Sequence, residues 1–134
     1  MLRRCYALRM SCLFCALDQD RVLAENSVGI AIRDAYPVSR GHTLIVAKRH
    51  VASWFDATAE ERSGLMKLLG GEKARLDQEM SPAAYNIGIN AGRVAGQTID
   101  HLHIHLIPRY PGDVPDPTGG VRNIIPGQGR YSPG

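Results

Sequence analysis

Three of the five histidines in this 134-residue chain stand at alternate positions of one run, His101-Leu102-His103-Ile104-His105. Successive side chains of a strand point to opposite faces. A strand here would set the three imidazoles in a row at intervals of about 6.6 Å, with Leu102, Ile104 and Leu106 turned into a core. Three chemistries follow. The rings could decorate a surface strand and bind nothing. They could hold a catalytic metal, but ligands spread over about 13 Å on a straight strand cannot all reach one ion at about 2 Å. Or one ring could be a nucleophile toward phosphorus. A neutral imidazole attacks near neutral pH when a backbone carbonyl takes its Nδ1–H and leaves Nε2 bare, while its neighbours donate to phosphoryl oxygens and to the departing group.

Cys12 and Cys15 form a second group, in C-x-x-C spacing, with Cys5 as the third cysteine. A redox pair, two buried thiols and two metal ligands all fit that spacing. An odd cysteine count argues against a secreted disulfide framework and for a reducing compartment, with the cytoplasm as the expected location.

The elements that must position these groups are short. Val22 to Ala24 and Val28 to Ile32 read as strands joined by Glu25-Asn26-Ser27, and His42 to Ala47 as a β-branched third. Thr58-Ala59-Glu60-Glu61 has the form of a capping box, with Leu65, Leu68, Leu69, Leu76 and Met80 following at helical spacing. Gly70-Gly71 weakens the middle of that helix by about 1 kcal/mol per glycine, and Ser81-Pro82 ends it. Tyr85, Ile87 and Ile89 alternate with polar or small residues as a fourth strand, and His101 to Ile107 forms the fifth. Six of the eight prolines lie from Pro108 onward, so regular structure there is expected only around Val121 to Ile125. The pattern predicts an α+β domain with about five mainly antiparallel strands, one main helix and a short N-terminal helix. Residues 1–10 are expected to be a flexible extension, with Met10 a plausible start. The domain would span 11–109, and 110–134 would be a Pro/Gly-rich tail packing on the domain or on a partner.

Charge narrows the function. The formal +3 is supplied by Arg3, Arg4 and Arg9, and the remaining residues sum to zero. A nucleic-acid groove needs basic charge clustered on the folded body, so that class is not expected. No apolar run approaches the roughly 18 residues of a membrane span.

The run His101-Leu102-His103-Ile104-His105-Leu106-Ile107, together with Asp34, Gly41-His42-Thr43, Asn90-Ala91-Gly92 and Gly96-Gln97-Thr98, resembles the histidine-triad (HIT) family. The likeness extends over about a hundred residues. It implies a HIT-like fold and a hydrolase that cleaves the bond to the α-phosphate of a purine nucleotide conjugate, a phosphoramidate or a dinucleoside polyphosphate. By that resemblance His103 attacks phosphorus to form a nucleotidyl-histidine, His105 contacts the scissile bridging atom, and His42 is its partner at the phosphate. Asn90, Gly96, Gln97 and Thr98 would meet the phosphate, Asp34 the ribose hydroxyls, and Leu13, Phe14, Leu17 and Ile32 the base. Zinc-bearing branches, similar to galactose-phosphate uridylyltransferases and many bacterial members, imply a structural zinc ion on Cys12, Cys15, His50 and His101. Relatives of this kind are commonly homodimers. The alternative from another class is a nucleotide-binding regulator that senses without turnover.

Overall fold

The computed structural model of the chain describes residues 12–132, and the extension expected over residues 1–10 lies outside the described residues. Five strands form one sheet: β1 Val22–Glu25, β2 Gly29–Arg33, β3 Thr43–Ala47, β4 Ala84–Gly88 and β5 His103–Arg109. Their order is β1-β2-β3-β5-β4, and each neighbouring pair is antiparallel. The turn into β2 rests on Asn26, whose side-chain oxygen accepts from the amides of Val28 and Gly29.

Among the described residues the one α-helix is α1, Ala59–Met80. Its capping box is complete: the Thr58 hydroxyl accepts from the Glu61 amide at 3.0 Å, and the Glu61 carboxylate accepts from the Thr58 amide at 2.9 Å. Leu65, Leu68, Leu69 and Leu76 bury one stripe of α1 against Ala31, Ile45, Ile104 and Leu106. Gly70 and Gly71 have open space around the positions a Cβ would take, so the helix runs through them without losing a core contact. Ser81, at φ 48°, ends it in the left-handed region before Pro82.

Two expectations need correction. The short N-terminal helix consists of two separate 3-10 turns, Leu13–Cys15 and Gln19–Arg21. Phe14 and Cys15 are buried against the sheet, and these tertiary contacts bend the segment before a second helical turn can form. Strand β5 begins at His103, so His101 is not the first of three rings in a row. The Leu102 amide donates to Val51 O at 2.7 Å and the Ala47 amide donates to Leu102 O at 3.0 Å. These bonds hold residues 101–102 beside the segment leaving β3.

Alternation along β5 sends Ile104 and Leu106 toward α1, and leaves His103 and His105 on the opposite face beside Phe14, Ile32 and Leu44. Beyond Arg109 the chain doubles back, and a 3-10 turn at Gly120–Ile124 lies beside β4. No helix among the described residues is long and apolar enough to cross a membrane.

Candidate active site

The α1-free face of the sheet carries a cavity of about 580 Å³ with His103 and His105 in its wall. Its third histidine comes from the loop joining β2 to β3. The Asp34 amide donates to His42 O at 2.9 Å and closes that loop. Gly41 makes it possible: at φ +87°, a Cβ there would also lie 2.7 Å from Met80 Sδ and 2.8 Å from Leu76 Cδ2. His42 is thereby held 3% exposed.

Hydrogen bonds assign the protons. His103 Nδ1 is 2.8 Å from the His101 carbonyl, which can only accept, so Nδ1 carries the hydrogen and Nε2 is bare. The Val38 amide donates to His42 Nδ1 at 3.1 Å, which puts the hydrogen of a neutral His42 ring on Nε2. That Nε2 lies 2.9 Å from His105 Nδ1 and 3.4 Å from Asp34 Oδ2. His105 therefore accepts at Nδ1 and presents Nε2–H. Burial lowers the pKa of all three rings; for His105 burial, helped by its neighbours His103 and His42, brings it to about 4. The rings are neutral near pH 7, as both nucleophilic attack and this relay require.

Asp34, His42 and His105 also bring one ligand atom each within 4.8 Å of one another, a spacing that could suit a metal. The hydrogen on His42 Nε2 argues for a proton relay instead, since a ligating nitrogen must be bare.

Around this relay the cavity is lined by Leu13, Phe14 and Leu17, by Asp34 just past the end of β2, and by Asn90, Gly96 and Thr98. Phe14 meets the His103 ring edge-on, with centroids 4.9 Å apart. Gly96 has φ +102°, and nothing lies within 4 Å of where a Cβ would stand, so the backbone angle rather than space calls for glycine there. Two expected contacts are elsewhere. Gln97 is 5% exposed and points away from the cavity: its amide nitrogen donates to Ala52 O and Ile99 O, and its oxygen accepts from the Gly92 amide. It therefore staples the loop that presents Gly96 and Thr98. Ile32 is fully buried in the apolar cluster beneath the cavity.

Residues not expected from the sequence also line the cavity, among them Arg21, Tyr36, Val38 and Leu44. Leu44 had a readable signal, since it alternates with Ile45 along a β-branched strand. The Val38 amide, which fixes the tautomer of His42, is backbone and leaves no trace in residue identity.

Cys12, Cys15, His50 and His101 gather on the other side of Phe14. Their ligand atoms all lie within 4.8 Å of one another. Sγ of Cys12 is 3.4 Å from His101 Nδ1, and Sγ of Cys15 is 3.2 Å from His50 Nδ1 and 3.5 Å from His101 Nδ1. Tetrahedral bonds of about 2.0–2.3 Å imply ligand-to-ligand edges of about 3.3–3.8 Å; these three sulfur–nitrogen separations lie in or near that range, and Cys15, which is disulfide-bonded in this structure, completes the donor set for one ion only when reduced to a thiolate. His101 Nε2 donates to Ala47 O at 2.6 Å, which leaves Nδ1 bare toward the sulfurs.

Known proteins are similar to this chain in sequence and fold. An adenosine 5′-monophosphoramidase of Schizosaccharomyces pombe is 33% identical over 104 residues, covering 75% of this chain and 75% of that protein. A zinc-bound histidine-triad protein of Mycobacterium smegmatis superposes with a TM-score of 0.70 at 32% identity, covering 80% of this chain and 85% of that one. The diadenosine triphosphate hydrolase of Plasmodium falciparum, in complex with cyclomarin A, superposes with a TM-score of 0.70 at 26% identity, covering 75% and 68%. The family model described as HIT domain matches residues 17–112, which span most of the cavity, both halves of the relay and two of the four cluster residues, and the chain belongs to that family.

Proposed function

We propose that this chain is a nucleotide hydrolase that cleaves the bond to an α-phosphate through a covalent nucleotidyl-histidine on His103. The observation that carries it is the bond from His103 Nδ1 to the His101 carbonyl, which turns a bare Nε2 toward the cavity next to the proton-bearing His105. Nε2 of His103 forms a bond to phosphorus as the bond to the leaving group breaks, and the leaving atom takes the Nε2 proton of His105. The proton deficit in the His42–His105 pair is balanced by the positive charge of the phosphorylated His103 ring. Water then attacks phosphorus, returns a proton to the pair and frees Nε2, so the site ends as it began. Asp34 offers a carboxylate for ribose hydroxyls, and Phe14, Leu13 and Leu17 an apolar wall for the base.

We further propose that the cysteine–histidine cluster holds zinc in a structural role. When bound, the ion supplies a closed cross-link with no open position for chemistry. Cys12 and Cys15 would tie the N-terminal segment, and with it Phe14, to His101 and His50. A reducing, cytoplasmic setting suits thiolate ligands.

The test is stereochemical. Two in-line displacements invert phosphorus twice, so a chiral phosphorothioate analogue of an adenosine phosphoramidate should be hydrolysed with retained configuration. His103→Asn should still bind AMP in calorimetry, with turnover lower by about 10⁴-fold or more. Net inversion would mean direct attack by water. Tight AMP binding with no turnover by the wild type would make the chain a sensor.

A further inference from the structure

The loop that carries Asp34 and His42 enters and leaves through one cross-strand pair, Arg33 opposite Thr43, at the end of the β2–β3 ladder. Ala31 and Ile45, two residues further into the strands, pack in the cluster beneath α1. Alternation therefore turns Arg33 and Thr43 toward α1, while their neighbours Asp34 and His42 line the cavity on the other face. A hydroxyl joins the two ends of the loop. Arg33 Nη1 donates to Thr43 Oγ1 at 2.6 Å, and Thr43 Oγ1 donates to the Gly41 carbonyl at 2.7 Å. The residue before Asp34 is thereby bonded to the residues on either side of His42. The Arg33 carbonyl in turn accepts from Nη2 of Arg21, a cavity-lining residue, at 2.9 Å, so the peptide leading into Asp34 is held from both faces of the sheet.

Helix α1 holds the guanidinium. Glu72, 2% exposed, brings Oε1 to 3.8 Å from Arg33 Nη1, and Glu79 brings Oε2 to 3.5 Å from Arg33 Nη2. Arg75 Nε lies 3.5 Å from the other Glu72 oxygen. Among the described residues Glu72 Oε1 is buried with no hydrogen-bond partner, and burial raises the pKa of this carboxyl. A carboxyl so placed is a poor way to pack a helix on a sheet, since an apolar side chain would avoid its desolvation. What it does supply is a partner behind Nη1, as Glu79 does behind Nη2, which aims the guanidinium at Thr43. At the far end of this chain of contacts, Asp34 Oδ1 accepts from the Tyr36 amide at 2.8 Å and Oδ2 lies 3.4 Å from His42 Nε2, so the carboxylate has little freedom once its backbone is fixed.

We propose that Arg33 is a positioning residue, which acts across the sheet through Thr43 and, held by Glu72, fixes the Asp34 carboxylate for the sugar hydroxyls of the substrate. The proposal rests on the hydrolase reading above, with Asp34 as the ribose acceptor. Arg33, Thr43 and Glu72 are not among the residues lining the cavity, so any change in sugar recognition caused there travels through the loop.

The test reads a ratio: kcat/KM of the whole protein on adenosine 5′-phosphoramidate over that on its 2′-deoxyadenosine counterpart. Loss of folded protein lowers both rates alike and leaves the ratio where it was. The wild type should favour the ribonucleotide by about tenfold or more, the worth of a hydrogen bond to a charged acceptor. Thr43→Val, nearly isosteric but without the hydroxyl, and Arg33→Met should each lower that ratio by about threefold or more, and Thr43→Ser, which keeps the hydroxyl, should restore it. Glu72→Met should lower the ratio in the same direction while its urea midpoint stays at or above that of the wild type. Ratios within about twofold of wild type in both Arg33→Met and Thr43→Val would overturn the positioning role, as would equal wild-type rates on the two sugars. A wild type that turns over neither phosphoramidate would overturn the hydrolase reading, and the positioning role with it.

Discussion

His101 and His103 are two residues apart, both buried and both tied to a backbone carbonyl, yet they face different tasks. His101 gives its Nε2–H to Ala47 O and turns a bare Nδ1 to two sulfurs. His103 gives its Nδ1–H to His101 O and turns a bare Nε2 to a cavity. Burial lowers the pKa of both, that of His101 to about 4, so neither is distinguished by charge. The difference is which ring nitrogen the backbone takes, and that choice turns the other to two cysteine sulfurs or to a cavity. Ring identity carries less functional information than the acceptor behind the ring.

The contrast can be broken first on the catalytic side. His105→Ala removes the proposed proton donor while leaving His103 and the carbonyl behind it in place. Turnover should fall by about 10²–10⁴-fold on substrates with a poor leaving group and much less on a nitrophenyl ester, whose leaving oxygen needs no proton. Steady-state rates on the two substrates decide it; an equal loss on both would assign His105 a binding role.

On the metal side, Cys12→Ser should act on stability before chemistry. One equivalent of zinc per chain is expected in the wild type by elemental analysis. The variant should lose it along with about 4 kcal/mol of unfolding free energy in a denaturant titration. Metal-free wild type with unchanged stability would remove zinc from the account.

A smaller effect sharpens the comparison from outside both clusters. Glu61 caps α1 and also accepts two hydrogen bonds from Arg49, the residue before His50, at 2.8 and 2.9 Å. Glu61→Gln should cost about 1–3 kcal/mol at pH 7. The hydrogen bonds from Arg49 hold the Glu61 pKa at about 2, below its ordinary 4.5. Its folded value is thus below its unfolded one, so the stabilisation is fully present above about pH 4.5 and is lost as pH falls toward 2. Urea titrations of wild type and variant should converge over that window.

How much of this was legible depended on whether the signal was local. The capping box at Thr58 and Glu61 is two residue types at one spacing, and it formed as read. Alternation placed His103 and His105 on one face, because Ile104 and Leu106 had a core to enter. It failed one step earlier, at His101, because the hydrogen bonds of Leu102 to Val51 and Ala47 draw that end of the run out of the strand, and nothing in the run encodes them. Gln97 was legible as a polar residue in a glycine loop, but the direction of its amide was not, since Ala52 O and Ile99 O are backbone acceptors supplied by the fold.

One residue links the two clusters, and this constrains how the chain can vary. The Nδ1 of His101 faces the two cysteine sulfurs and its carbonyl accepts from the His103 ring, so a replacement at 101 that shifts this backbone perturbs both. Substitutions in the cysteines and in the histidine relay will therefore be non-additive, coupled through a single peptide unit. A descendant of this chain that gave up the cysteine ligands would have to re-anchor the carbonyl of residue 101 by packing alone, and compensating changes should be sought around Val51 and Leu102 rather than in the cavity.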